Sequence, residues 1–266
     1  MRRRREAAFL ARLSEYPARL TEATDRAERK RAEEDYPLRA EEQEGGLRWI
    51  REKPFGNSPR ETARLLIDFG YVVRLLELQR GMSFCELGCG AGWMTRFAAR
   101  HGVAAEGYDI SPRMIEIARE QALAEGVDAR FEVADMEELD LGRRFDACLL
   151  YDALHHSPRP DLVFRSAHRA LRPGGRLLLA EPNWAHRFRG RDASDRYGTT
   201  ELGYTPRRLK QLLRRSGFRG IQRFHGNRGV LFGNSPRDLF WHLAEPLAFR
   251  VLAPFWTQIW LRATAE

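Results

Sequence analysis

Between Phe84 and Trp93 the chain reads Phe-Cys-Glu-Leu-Gly-Cys-Gly-Ala-Gly-Trp, an apolar strand followed by three alternating glycines, Gly88, Gly90 and Gly92, directly ahead of a helix. Glycines at alternate positions let the backbone turn tightly and approach a ligand without Cβ interference. A helix starting near Trp93 offers unpaired N–H groups to negative charge. Such a turn, with Cys89 inside it, builds a nucleotide site. A dinucleotide fingerprint would need its third glycine where Trp93 stands, so a dehydrogenase fits least. Glu86 can instead face a cationic ammonium group, and an amino-acid-bearing nucleoside suits the turn better than a pyrophosphate.

With these residues the chain resembles the class I S-adenosylmethionine-dependent methyltransferases, in particular the small-molecule group of the type 11/12 kind, over roughly residues 81–224. The resemblance implies S-adenosyl-L-methionine as cofactor, bound outside the carboxyl ends of the strands. It places Asp109 of Gly107-Tyr108-Asp109-Ile110-Ser111 on the ribose hydroxyls, with Ile110 beside it; helix capping is the structural alternative for Asp109, but Ser111 is expected to do that. It sets Asp135 of Ala134-Asp135-Met136 on the adenine amino group, with Met136 packed on the ring; a surface-loop role stays open for Asp135. The segment Tyr151-Asp152-Ala153-Leu154-His155-His156 lies where the family positions the methyl group and often the acceptor.

Methyl transfer is an in-line displacement, so the protein mainly has to align donor and nucleophile. A hydroxyl acceptor loses its proton as it attacks, and histidine is the usual base. His155 or His156 is the expected base; the alternative, in which both hold the loop, stays open. Asp152 and Glu181 are weaker candidates that could neutralise an amine or orient a histidine. The arginine-rich stretch from His186 to Arg196 could recognise a phosphate or carboxylate, or be a solvated loop.

The elements needed to position these groups alternate. Strands are expected at Ser83–Leu87, Ala104–Tyr108, Ala129–Val133, Phe145–Leu150 and Arg176–Ala180, with helices from Pro112 to Gly126, Asp161 to Leu171 and Pro206 to Arg215. This predicts an α/β, Rossmann-like, doubly wound, seven-stranded and mostly parallel sheet, closed by a hairpin of Gly220–Phe224 and Gly229–Phe232 around Asn227. Ahead of it, residues 1–57 read as a charged arm of solvated helices broken at Pro17 and Pro37, or as a lid, with the turn Glu52 to Asn57 the candidate lid segment within it. The methyltransferase domain is expected over 58–234, opened by a helix between Ser58 and Leu78. Residues 235–266 read as an aromatic extension outside the core; residues 239–260 suit packing on the domain, a dimer contact, a wall of the substrate site or a membrane surface.

The 266 residues, 43% hydrophobic, are enough for one such domain with additions. No convincing secretory signal or bilayer-spanning segment is read, so a cytoplasmic protein is expected. Cys85, Cys89 and Cys148 read as buried thiols; Cys85 and Cys89 lack a second ligand pair for zinc, and no metal site is expected. The net charge of +8 is almost wholly arginine, since Lys30, Lys53 and Lys210 are the only lysines. It admits an RNA methyltransferase as the second reading, although the segment after the fourth strand lacks Asn/Asp-Pro-Pro-Tyr. A non-catalytic cofactor-binding scaffold is the third. Small-molecule O-methylation leads.

Overall fold

A computed structural model describes residues 23–44, 47–55, 58–184, 186, 191–224 and 258–266. Helices α1 (Ala23–Glu44), α2 (Arg48–Arg51) and α3 (Pro59–Leu76) precede the sheet. Then come β1 (Ser83–Leu87), α4 (Trp93–Arg100), β2 (Ala104–Asp109), α5 (Pro112–Ala124), β3 (Ala129–Val133) and β4 (Phe145–Tyr151). The chain continues through α6 (Pro160–Ala170), β5 (Leu171–Glu181), α7 (Arg191–Tyr197), α8 (Pro206–Arg215), β6 (Phe218–Phe224) and β7 (Ile259–Ala265). The sheet order is β3-β2-β1-β4-β5-β7-β6, with β7 antiparallel to both neighbours. Strand order reverses between β1 and β4, and the crevice of an open α/β sheet lies at that point.

Alternation along the strands sorts the core into two layers. Cys85, Leu87, Cys148, Leu150, Leu177 and Leu179 pack with Val163 and Phe164 of α6 and Leu209 and Leu213 of α8. Phe84, Ala147, Leu149, Leu178 and Ala180 face the other way, onto Val72 and Leu76 of α3 and Met94 and Ala98 of α4. Helix α3 starts on a side-chain cap, the Ser58 hydroxyl accepting from the Glu61 N–H at 3.2 Å, with Pro59 in the first turn.

Four expectations need correction. Pro37 does not break the arm: it lies inside α1. That helix is not simply solvated either, since Ala32 and Ala40 are buried and Arg113 of α5 pairs with Glu41 at 2.9 Å. Strand β5 begins at Leu171 rather than at the expected Arg176, and its pairing with β4 shifts register across Arg172-Pro173-Gly174-Gly175. The strand paired with β6 is Ile259–Ala265; the expected hairpin strand Gly229–Phe232 and its turn at Asn227 lie outside the described residues. Trp260, assigned by its position to an extension beyond the core, is 2% exposed and packs edge-on against Tyr71 at 5.6 Å. Residues 1–22, Gly56, Asn57 and the stretch 239–257 also lie outside the described residues. Among the described residues no helix is long and apolar enough to cross a membrane.

The glycine turn supplies a test of the packing. Gly90 has φ +52° and nothing within 4 Å of where a Cβ would project, whereas at Gly92, φ +71°, a Cβ would stand 2.3 Å from a Phe131 ring carbon. Gly90→Ala is expected to cost about 1 kcal/mol, the left-handed backbone alone. Gly92→Ala should cost about 2–4 kcal/mol, because overpacking is added to that strain. Denaturant unfolding of the two variants checks the order; equal losses would contradict it.

Candidate functional site

A cavity of about 350 Å³ opens over the carboxyl ends of β1 to β4. Glu86, Gly88, Cys89, Gly90 and Trp93 line it from the first crossover, Asp109 and Ile110 from the second, Ala134, Asp135 and Met136 from the third, and Tyr151, Asp152 and His156 from the fourth. Two expected site residues are not among the lining. Gly92 turns into the core against Phe131, and His155 is buried at 3% exposure behind the wall. The opposite wall comes from the N-terminal arm, the segment with a lid among its expected roles: Lys30, Glu33 and Tyr36 of α1, with Trp49, Ile50 and Lys53 around α2. Of these side chains only Lys53, in the turn, falls in a stretch that the sequence singles out.

The Gly88 turn folds tightly onto the fourth crossover, since a Cβ at Gly88 would meet the Ala153 Cβ at 2.5 Å. Asp109 ties the same turn to β2: one carboxylate oxygen accepts the Gly90 N–H at 2.8 Å and the other the Ser111 N–H at 2.9 Å. Ser111 occupies the N-cap position of α5 with no side-chain cap bond, so the division of labour expected from sequence is wrong, and it is Asp109 that holds the helix entry. Each oxygen keeps a second lone pair for a ligand hydroxyl. Burial pushes the Asp109 carboxyl up, against the two backbone donors.

Glu86 is 2% exposed and accepts from the Thr95 hydroxyl at 2.5 Å. Burial drives its pKa up to about 8, although the Thr95 bonds oppose the rise. A ligand cation would reverse that by stabilising the charged form. Asp135 accepts the Glu137 N–H at 2.8 Å and pairs with Lys30 of α1. Lys53 stacks over the Trp49 ring at 5.2 Å. Burial lowers its pKa, against the pull of Asp152, Glu61 and Glu86.

Beyond β4, Asp152 holds a left-handed φ of +54°, a conformation uncommon outside glycine and typical of strained functional turns. The short 3-10 turn Leu154–His156 that follows hangs on Glu181. This fully buried carboxylate accepts the N–H groups of Ala153 at 3.0 Å, Leu154 at 2.8 Å and His155 at 3.2 Å, and also the His155 Nδ1–H at 2.8 Å. Of the two roles open to Glu181, orienting a histidine is the one its contacts show. His156 faces the cavity. Its Nδ1 donates to the Thr200 carbonyl at 3.1 Å and lies 3.4 Å from Glu33 and 3.8 Å from Glu201. Burial resists its charge, but Glu33, Glu201 and Asp152 outweigh burial and hold its pKa up at about 10. That shift favours an imidazolium at His156 over the neutral imidazole with a free lone pair that a base requires.

Glu201 and Glu33 carried no sequence signal, because neither stands in a motif. Glu33 could have been suspected only from its place on a helix with a buried face, and Glu201 follows an irregular stretch. The chain around Glu201 is fixed by a backbone bond, Leu202 N–H to the His155 carbonyl at 3.0 Å, and a side-chain one, the Tyr204 hydroxyl to the Leu154 carbonyl at 3.2 Å. Of the arginine-rich stretch, His186 is described beside Glu201, Arg191–Tyr197 forms α7, and residues 187–190 lie outside the described residues. Cys85, Cys89 and Cys148 are free and buried.

Comparison with known proteins is consistent with this layout. Residues 60–223 match a family described as a methyltransferase domain. A ubiquinone biosynthesis O-methyltransferase of Xanthomonas axonopodis pv. citri is 32% identical over 115 residues, 42% of this chain and 48% of that protein. A 27-O-demethylrifamycin SV methyltransferase of Amycolatopsis mediterranei is 39% identical over 111 residues, 40% of this chain and 41% of the relative. The chain thus spans about half the length of the curated relatives it matches, or less. Among solved structures, a phosphoethanolamine N-methyltransferase 2 of Haemonchus contortus in complex with S-adenosyl-L-methionine superposes with a TM-score of 0.63. At 18% identity, over 88% of this chain and 60% of that one, it shares the fold.

The buried Glu86 makes stability depend on pH. The folded protein keeps a proton there up to about pH 8, whereas the unfolded chain releases it near the ordinary value of 4.5. The native state therefore binds more protons between those limits, and its stability falls as pH rises, by at most about 1.4 kcal/mol per pH unit. Glu86→Gln should flatten that slope between about pH 5 and pH 8 in thermal unfolding of the ligand-free protein. An unchanged slope would show that Glu86 is ionised throughout.

Proposed function

The chain belongs to the class I S-adenosylmethionine-dependent methyltransferases, and we propose that it transfers the methyl group to a hydroxyl of a small molecule. The donor set along the cavity suits the cofactor: carboxylates for an ammonium and for ribose hydroxyls, an apolar flank at Met136 and Ile110, and open space before Gly90. Glu86 takes the amino group of the methionyl moiety and Lys53 its carboxylate, Asp109 the ribose, and Asp135 and Met136 the adenine, with Lys30 moving off Asp135. When bound, the cofactor supplies a methyl group made electrophilic by its sulfonium charge. The protein's contribution is alignment, exclusion of water under α1, and removal of the acceptor proton.

The observation that carries the hydroxyl reading is the group of His156, Glu33 and Glu201 on the wall next to Asp152. One imidazolium and two carboxylates form a unit with net negative charge. The imidazolium donates to the acceptor oxygen and orients it. The proton released as the O–C bond forms passes to a carboxylate of the same unit. The curated relatives whose names describe O-methyltransferases support the same choice.

Isotopically labelled cofactor offered with hydroxyl, amine and RNA acceptor pools tests this reading. Label is expected in the hydroxyl pool. His156→Gln should lower turnover by about 10²–10⁴-fold, with cofactor affinity changed less than a few-fold. Label confined to amines or RNA, or near-normal turnover in His156→Gln, would contradict it.

A further inference from the structure

Behind the cavity wall, His155, His186 and Glu201 bring two imidazole nitrogens and one carboxylate oxygen within 4.8 Å of one another. We propose that these three side chains bind a divalent transition-metal ion, such as zinc, where Glu201 meets the cavity. Two histidines and one carboxylate with remaining positions open is the donor set of catalytic zinc and non-haem iron sites.

The arrangement is built for one tautomer. Glu181 accepts the His155 Nδ1–H at 2.8 Å, so the lone pair of His155 sits on Nε2. That nitrogen points toward Glu201, whose Oε2 lies 4.0 Å away, beyond hydrogen-bond reach. A buried carboxylate that orients a histidine from behind is the outer-shell partner typical of metal-binding imidazoles. Glu181 is itself fixed by three backbone N–H groups of the turn that carries His155, so this ring has little freedom.

His186 supplies the adjustable edge. Its Nε2 is 2.7 Å from the same Glu201 Oε2, its ring lies edge-on to His155 with centroids 4.7 Å apart, and it is more exposed than His155. Ligand atoms around a tetrahedral zinc at about 2.0–2.2 Å stand roughly 3.3–3.6 Å apart. To take that spacing His186 has to move away from Glu201, now at 2.7 Å, and Glu201 toward His155, now at 4.0 Å.

The site meets the cavity through Glu201, which lines it and whose other oxygen lies 3.8 Å from His156. A cation held there would take the acceptor hydroxyl in an open position and lower its pKa as a Lewis acid. The proton goes to the carboxylate of Glu33, the O–C bond forms, and the electron pair of the broken S–C bond stays on sulfur. No oxidant or reductant is needed. This role rests on the hydroxyl-acceptor reading, whereas metal binding does not.

The test uses the full chain, stripped with a chelator and titrated with cobalt(II) or zinc. One equivalent is expected, with the visible cobalt absorption of a low-coordinate nitrogen–oxygen site. His186→Ala and Glu201→Gln should each weaken binding at least a hundredfold, and Glu181→Gln about tenfold or more. Cofactor affinity and circular dichroism, measured on every variant, should stay near wild type and exclude misfolding as the cause. Absence of stoichiometric binding by the wild type, or unchanged affinity in His186→Ala and Glu201→Gln, overturns the site. Labelling of hydroxyl acceptors by stripped, metal-free protein would overturn the metal's catalytic role and leave the hydroxyl reading standing. Stoichiometric metal with label only in amines would overturn the hydroxyl reading, and the metal's catalytic role with it, and leave the binding site standing.

Discussion

One carboxylate holds the first two crossovers of the sheet together. Asp109 takes the Gly90 N–H on one oxygen and the Ser111 N–H on the other, so the glycine turn and the entry to α5 are parts of one hydrogen-bonded unit. The turn can reach that carboxylate only because Gly88 and Gly92 present no side chain to Ala153 and Phe131. From this contact the remaining geometry follows. The ends of β1, β2 and β4 are drawn into one crevice, and their acidic residues Glu86, Asp109 and Asp152 face the same space.

Concentrating carboxylates in a half-buried cavity is unfavourable unless donors and cations offset it. The fold supplies backbone N–H groups to Asp109, Asp135 and Glu181, a hydroxyl to Glu86, and the ammonium groups of Lys30 and Lys53 from the opposite wall. At Glu86 burial outweighs the Thr95 bonds, and its pKa rises to about 8. A cationic ligand completes the charge balance there. The N-terminal helices thus act as a second half of the site, linked by the Arg113–Glu41 pair and by Lys30.

The sheet and the carboxyl-end motifs were legible because each is written locally. The strand of Phe84 to Leu87 alternates between two core layers, Ser58 caps α3, and Pro112 opens α5, all within a few residues. The contributions of α1 were not, since its apolar positions are few and Pro37 argues for a break that the helix absorbs. Strand β7 escaped for a similar reason: its partners in the sheet stand far away in sequence, and Trp260 reads equally well as tail or core. The same limit applies to His155, His186 and Glu201, which come from three separate segments brought together by contacts distant in sequence, among them the Glu181 anchor and the bonds of Leu202 and Tyr204. Which of two adjacent histidines faces the cavity depends on that anchor too.

The central claim is that the cofactor docks on the unit held by Asp109. Isothermal titration of S-adenosylmethionine, and of its demethylated product, into the wild type and Asp109→Ala is the most direct measurement. One-to-one binding to the wild type is expected, with affinity falling by about ten- to a hundredfold in the variant through lost charge-assisted hydrogen bonds. No heat with the wild type, or equal affinity in Asp109→Ala, would contradict the account.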